Sequence, residues 1–488
     1  MTVSLNVTNA TVFTPSNVLV QPVNLALRAG RAFTILGETG SGKSLLTQAI
    51  MGTLPDGLIA NGEAILDGNT LDLANPSGHR AFWGRKISIL PQEPWLALDP
   101  TMRAGAQIAE GHRYVGGMTA LRARAQARND LMALDVADAE GKLPGELSGG
   151  MAQRVAFAAA TTGGARIVIA DEPTKGLDIA RRDDVIALLM KEIEAGGTVL
   201  TITHDLALAR QMGGDVAVML NGRIVEQGET ASVLADPAHA YTRRLIAADP
   251  ENWHKTATRP AIPRDPILTA RSLAKRRGGK HLFEALDVDI AAGEIVGVTG
   301  PSGSGKSTLG DILLGLLPPD TGSVNRPKAI ARTRYQKLYQ DPPSAFPAKI
   351  RIGTGLDDLI RLHRLDSTRI APLMDRLHLS QTLLKRLPTE VSGGELQRFA
   401  LLRALILDPV FLFADEPTSR LDLITQQETI QLLTELAREQ NCAVLIVSHD
   451  PAIIEHTCDR RLDISRGTSS TGTVPHSHVN FSAVRHIW

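Results

Sequence analysis

Only two cysteines, Cys442 and Cys458, occur in the 488 residues, and Cys442 lies within an apolar, strand-like run. Two scattered thiols build neither a disulfide framework nor a thiolate metal cluster, which points to a reducing compartment. Charge of one sign is not in excess either. Lys and Arg total 52, Asp and Glu total 52, so net charge gives no argument for a nucleic-acid partner. No run reaches the roughly 18 apolar residues that a membrane-spanning helix needs. The opening Met-Thr-Val-Ser-Leu-Asn lacks the charged-then-apolar layout of a secretory signal. The expectation is a cytosolic chain without a transmembrane segment. What is present is ample core material, 43% hydrophobic residues in a chain long enough for two to four domains.

Two glycine-rich stretches stand out. The first is Gly37-Glu38-Thr39-Gly40-Ser41-Gly42-Lys43-Ser44; the second is Gly300-Pro301-Ser302-Gly303-Ser304-Gly305-Lys306-Ser307, followed by Thr308. Each follows a short apolar run (32–36 and 295–299) and precedes a helical pattern, the strand–loop–helix context of a P-loop. Glycines let backbone N–H groups turn inward, and the helix N-terminus adds positive dipole, so a phosphate is cradled by the main chain. Lysine adds a charge at the β/γ-phosphates, and the serine hydroxyl can ligate Mg²⁺.

Further landmarks recur in one order. Gln92, Ser148-Gly149-Gly150, Asp171-Glu172, Asp178 and His204 follow Lys43; Gln340, Ser392-Gly393-Gly394, Asp415-Glu416, Asp422 and His449 follow Lys306. Subtracting positions gives 248 between the glutamines, 244 between the serines, 244 between the glutamates and 245 between the histidines. A nearly constant offset means an internal duplication. The expected division is a first domain over 1–248, a proline-rich extended linker over 249–266, a second domain over 267–466 and a mobile tail over 467–488. The runs 167–170, 410–414, 198–203 and 443–448 read as buried parallel strands ending in polar groups, where open α/β sheets place their sites. Helical patterns from Leu121 to Leu134 and from Leu356 to Leu387 read as a helical subdomain inserted in each half.

The strand ends carry the chemistry. Asp171 and Asp415 are placed to hold Mg²⁺, directly or through water. Glu172 and Glu416 follow immediately and would orient or deprotonate an attacking water. His204 and His449 end the neighbouring strands, within reach of a γ-phosphate. Gln92 and Gln340 would complete the metal shell together with Ser44 and Ser307. Taken singly, a carboxylate at a strand end is usually a helix cap and a lone histidine usually structural. Their joint order, repeated twice, sets that reading aside.

Leu147-Ser148-Gly149-Gly150-Met151-Ala152-Gln153-Arg154 and Val391-Ser392-Gly393-Gly394-Glu395-Leu396-Gln397-Arg398 closely resemble the signature of ABC ATPases, and the resemblance covers both halves. It implies an α/β fold of two P-loop NTPase domains in tandem, with ATP and Mg²⁺ as ligands. It also implies a head-to-tail arrangement in which Ser148 completes the site of Lys306 and Ser392 that of Lys43. Such proteins usually stack adenine on an aromatic upstream of the P-loop. Phe13 fits that place; the second half offers Leu273-Ala274-Lys275-Arg276-Arg277 there, leaving Phe283 as a substitute or the phosphates alone as the hold. The first D-loop, Lys175-Gly176-Leu177-Asp178, departs from the second, Ser419-Arg420-Leu421-Asp422.

The segment Asp236-Pro237-Ala238-His239-Ala240-Tyr241-Thr242-Arg243-Arg244-Leu245 is similar to the C-terminal element of oligopeptide, dipeptide and nickel importer ATPases, with Ala240 where proline is usual. The second half lacks that element. Gln92-Glu93-Pro94-Trp95 and Gln340-Asp341-Pro342-Pro343-Ser344-Ala345-Phe346 resemble the same family's Q-loops, where Trp95 and Phe346 would meet membrane subunits or simply pack their loops. The resemblance implies a peripheral subunit on the cytoplasmic face of the cell membrane, two transmembrane permease partners and a periplasmic or extracellular solute-binding protein, with peptides or nickel chelates as cargo. A soluble, ribosome-acting ABC ATPase is the alternative from another class.

Overall fold

The computed structural model describes residues 3–91, 97–174, 179–255, 266–301, 303–418, 421–464 and 468–470. They form two compact units: one of residues 1–253 with Ser419–Glu428, the other of 254–418 with 429–488.

In the first unit a six-stranded sheet runs Arg223–Glu229, Asp215–Leu220, Ala32–Leu36, Thr198–Thr203, Ile167–Asp171, Ile87–Leu90 across its width. All neighbours are parallel except the hairpin of the first two strands. Its central strands are buried on both faces, which is why they read as unbroken apolar runs. A second, antiparallel sheet of Asn17–Arg28, Val3–Thr14, Ile59–Leu66 and Asn69–Asp72 lies against the helix Lys43–Met51 and shares one core with it, including Leu5, Val12, Leu46 and Ile50. The helices Ala104–Tyr114 and Ala120–Ala133 pack with Gly149–Thr161 around a separate cluster, much of it alanine, so the insertion carries its own core.

The second unit repeats the plan. Its six-stranded sheet runs Tyr335–Leu338, Phe411–Asp415, Ala443–Val447, Ile295–Thr299, Arg460–Asp463, Thr468–Ser470. A three-stranded antiparallel sheet, Lys280–Ala291, Pro266–Arg277 and Thr321–Asn325, covers the helix Lys306–Leu314. The inserted part holds the helices Ile352–His363 and Ile370–Arg376 beside Gly393–Leu405.

Two stretches differ from the sequence reading. Asp249 begins folded structure rather than an extended linker: it is buried, accepts from Arg210 at 2.8 Å and starts a short 3₁₀ turn over Pro250–Asn252. The Trp253 indole closes that turn onto the Ala248 carbonyl at 3.0 Å. In the stretch read as tail, Thr468–Ser470 pairs antiparallel with Arg461–Asp463; residues 471–488 lie outside the described residues. Among the described residues no helix is long and apolar enough to cross a membrane. Both cysteines are buried thiols, and burial pushes the Cys442 thiol up to about 12 and raises that of Cys458 as well.

Candidate nucleotide sites

Each cradle grows from a central strand end. Gly42 and Gly305 precede their helices with φ of 100° and 98°, in the left-handed region where a side chain would be strained. At Gly37 a Cβ would meet the Met219 carbonyl oxygen at 2.3 Å, so only glycine lets the loop pass. The lysines are almost wholly buried. Lys43 Nζ donates to the carbonyls of Gly37 and Glu38, both at 2.7 Å, and Lys306 Nζ to those of Gly300 and Pro301 at 2.8 and 3.0 Å. Each ammonium is thus wrapped by its own loop, leaving Thr39, Gly40 and Gly303 exposed at the tip. Ser302 lies outside the described residues; Ser41 and Thr308 are buried, and the Ser304 hydroxyl is buried without a hydrogen-bond partner.

Beside each cradle stand hard oxygen donors. Ser44 Oγ donates to Asp171 Oδ1 at 3.4 Å, and Ser307 Oγ to Asp415 Oδ1 at 3.0 Å. Burial pushes the Asp415 carboxyl above the usual carboxylate range, against the Ser307 hydroxyl and the Lys337 charge, which stabilise its ionised form. A carboxylate kept costly in this way gains from a cation. Hydroxyl and carboxylate oxygens suit Mg²⁺ completed by phosphate oxygens. Among the described residues no cluster of three or more His, Cys, Asp or Glu offers an all-protein metal site instead.

The glutamates adopt a conformation that the sequence did not reveal. Glu172 and Glu416 both have φ of 48°, a left-handed backbone that costs a non-glycine residue on the order of 1–3 kcal/mol. Their N–H groups still pair with the next strand, Glu172 to the Ile202 carbonyl at 2.8 Å and Glu416 to that of Val447 at 3.1 Å. The main chain therefore stays in the sheet edge while the carboxylate is turned aside. His204 Nδ1 meets Glu172 Oε2 at 2.9 Å, and His449 Nε2 meets Glu416 Oε1 at 2.6 Å. Both histidines thus contact the glutamates directly. Gln340 donates to Glu416 Oε2 at 2.7 Å. Gln92 lies outside the described residues, as do Trp95 and residues 175–178 of the first D-loop.

A family model for ABC transporters matches residues 20–175 and 283–419. The chain belongs to the ABC transporter family. The peptidoglycan transport ATP-binding protein YejF of Agrobacterium fabrum is 33% identical over 471 residues, spanning 90% of this chain and 86% of its own. The glutathione import ATP-binding protein GsiA of Salmonella typhi is 32% identical over 504 residues, spanning 90% and 81%. Among solved structures, an RNase-L Inhibitor matches 93% of this chain and 87% of its own with a TM-score of 0.64 at 23% identity, a likeness of fold. The tandem ABC ATPase architecture read from the sequence is therefore the architecture of the protein, and its activity is that of a transport-coupled ATPase.

The ABC signatures occupy helix N-termini. Ser148 and Ser392 are exposed N-caps, accepting from Met151 N and Glu395 N, both at 3.3 Å. The following Gly149-Gly150 and Gly393-Gly394 begin the helices. In the second half the Glu395 carboxylate accepts from the Ser392 N–H at 2.8 Å and from its hydroxyl at 2.9 Å, a capping box that Met151 cannot form. Further along each helix a buried glutamine donates to the carbonyl just beyond the glutamate: Gln153 to Pro173 at 3.3 Å, Gln397 to Pro417 at 2.9 Å. Sequence reading gave these glutamines no role, although their matching positions in the two signatures were a usable signal.

The two aromatics upstream of the cradles differ in burial. Phe13 is half-buried on the antiparallel sheet, paired with Val18 and Ile59. Phe283, weighed in the sequence as its stand-in, is 5% exposed within the second core. Its neighbour Leu282 is the side chain beside Gly305. Phe346 is half-buried at the end of its loop.

Proposed function

We propose that this ABC ATPase energises the import of peptides or related small solutes, working with two transmembrane permeases and an external solute-binding protein from the cytoplasmic face of the cell membrane. The observation that carries the reading is the duplication of a full Lys–Ser–Asp–Glu–His set, which gives two hydrolytic sites of one design. The names borne by the relatives in Agrobacterium and Salmonella, transport of peptidoglycan and import of glutathione, favour peptide-like cargo over a nickel chelate.

In each cradle the phosphates of ATP would take the place of the loop carbonyls around Lys43 or Lys306. Ser44 with Asp171, and Ser307 with Asp415, would hold Mg²⁺, joined by Gln92 and Gln340. Bound there, the ion would neutralise charge on the phosphate oxygens. Glu172 and Glu416 are the general bases: a water oxygen bonds the γ-phosphorus, the bond to the β-phosphate oxygen breaks to release ADP, and the water proton passes to the carboxylate. His204 and His449 hold that carboxylate and hydrogen-bond the γ-phosphate. On the family pattern, Ser392 closes on the ATP of Lys43 and Ser148 on that of Lys306, so binding draws the halves together and hydrolysis releases them. Covalent linkage raises the effective concentration of each half for the other.

Co-purification tests the reading. Capture of two membrane permeases, with ATP turnover rising when the loaded solute-binding protein is added to the reconstituted complex, is the expected result. Sedimentation with ribosomes and indifference to permeases would support the translation-factor class.

A further inference from the structure

We propose that Tyr241 is a positioning residue for the first phosphate cradle, fixing the Glu38 peptide while Lys43 exchanges a loop carbonyl for phosphate. Tyr241 lies in the helix Ala240–Ala247, far along the chain from the cradle, and is 7% exposed. Its ring packs in one cluster with Leu36, the residue just before Gly37, and with Val218 and Leu245. The hydroxyl accepts the backbone N–H of Glu38 at 3.1 Å and also hydrogen-bonds the Glu38 side chain. The Glu38 carbonyl in turn accepts from Lys43 Nζ at 2.7 Å and from Ser41 N at 3.2 Å. One residue of the loop is therefore gripped on its N–H side by Tyr241 and on its C=O side by the catalytic-site lysine.

The grip is itself braced. The Glu226 carboxylate accepts from Ala238 N at 2.7 Å and His239 N at 3.1 Å, and the His239 imidazole caps the Tyr241 N–H at 3.1 Å. The helix thus starts at a fixed point on the strand Arg223–Glu229. When Lys43 turns to a phosphate, the Glu38 carbonyl loses its strongest partner, and the peptide would be free to rotate. The hydroxyl of Tyr241 prevents that rotation and keeps the inward-facing N–H groups of 39–44 in place.

The second half serves as a control written into the same chain. Pro301 occupies the place of Glu38; its carbonyl accepts from Lys306 and from Ser304 N, as that of Glu38 does from Lys43 and Ser41. Proline has no N–H to offer, and its ring fixes φ by covalent means. The loop that cannot be held from outside is stiffened from within.

The test uses the full chain and a fluorescent ATP analogue. With Lys306→Ala silencing the second cradle, Tyr241→Phe should weaken binding about threefold to tenfold, the worth of one hydrogen bond, while keeping the buried ring. With Lys43→Ala silencing the first cradle, the same substitution should leave binding unchanged. Glu38→Pro removes the N–H from the other side, and in its presence Tyr241→Phe should add nothing. An affinity that stays within twofold in the Lys306→Ala chain would overturn the proposal, as would equal losses at both cradles or additive effects of the two substitutions. The proposal rests on the ATP reading of the cradle: absence of binding by the unsubstituted chain would defeat that reading, whereas normal binding indifferent to Tyr241 defeats this one alone.

Discussion

The first and second cradles share a glycine pattern, a lysine wrapped by two loop carbonyls and a serine bonded to the strand-end aspartate, yet they stiffen their loops differently. One relies on a distant tyrosine, the other on proline. Their surroundings diverge as well. His204 meets its glutamate through Nδ1 and His449 through Nε2; the signature Ser392 is engaged by Glu395, whereas Ser148 has only its cap. Phe13 is half-buried on its antiparallel sheet, while Phe283 is sealed in the second core. The duplication keeps the lysine, serine, aspartate, glutamate and histidine groups in both halves and varies the residues around them. Chemistry fixes the first set, and any residue of the right stiffness serves in the second.

The largest effect should come from the shared part. Glu172→Gln and Glu416→Gln should each strongly impair ATP turnover, and the pair together should lower it by at least about a hundredfold, the usual weight of a general base. Steady-state phosphate release measures this; near-normal hydrolysis by the double variant would sink the assignment.

A smaller effect separates the signature glutamines. Gln397→Met keeps bulk but leaves the Pro417 carbonyl unpaired in the interior, at a cost of about 1–3 kcal/mol in denaturant unfolding. Gln153→Met should cost less, because its bond is longer. Equal losses would mean that the two helices are tied alike.

Asp415→Asn should raise the melting temperature of the nucleotide-free chain by removing a buried charge, while ending Mg²⁺-dependent turnover at that site. Asp171, less buried, should show a weaker gain.

The smallest effect concerns Glu38. Burial, and next the charge of Asp422, raise its carboxyl above the ordinary 4.5. The folded state therefore holds the proton more tightly than the unfolded one, and stability present below the ordinary value is lost as pH rises through the raised one. Glu38→Gln, always neutral and still bearing the N–H, should melt higher than the natural chain near pH 8 and no higher near pH 4. A gain independent of pH would rule out the carboxyl as its source.

Much of the fold was legible because it rests on local demands. A loop that must turn its N–H groups inward needs glycine at fixed places, and a strand buried on both faces must be apolar throughout, so 32–36 and 295–299 declared themselves. The strand-end carboxylates followed from that frame. Phe283 was left open in the sequence because an aromatic near a P-loop reads the same in a core as beside a ligand; in the structure it is buried, and Leu282 is the side chain beside Gly305. The left-handed backbone of Glu172 and Glu416 has no sequence mark, since glutamate gives no warning of positive φ. Tyr241 with Glu38, and Gln340 with Glu416, join segments far apart in the chain, and no spacing rule predicts such meetings. Asp249 looked like linker by its prolines, but Arg210 binds it into the first unit.

The two sealed thiols have a practical consequence. A reagent that attacks exposed thiolates finds Cys442 and Cys458 both buried and both strongly protonated. A cysteine introduced at an exposed surface position in each half would therefore be labelled selectively in the otherwise natural chain. Spin or fluorescent reporters attached there could follow the separation of the two halves through a cycle of nucleotide binding and release, with the native sulfur atoms silent throughout.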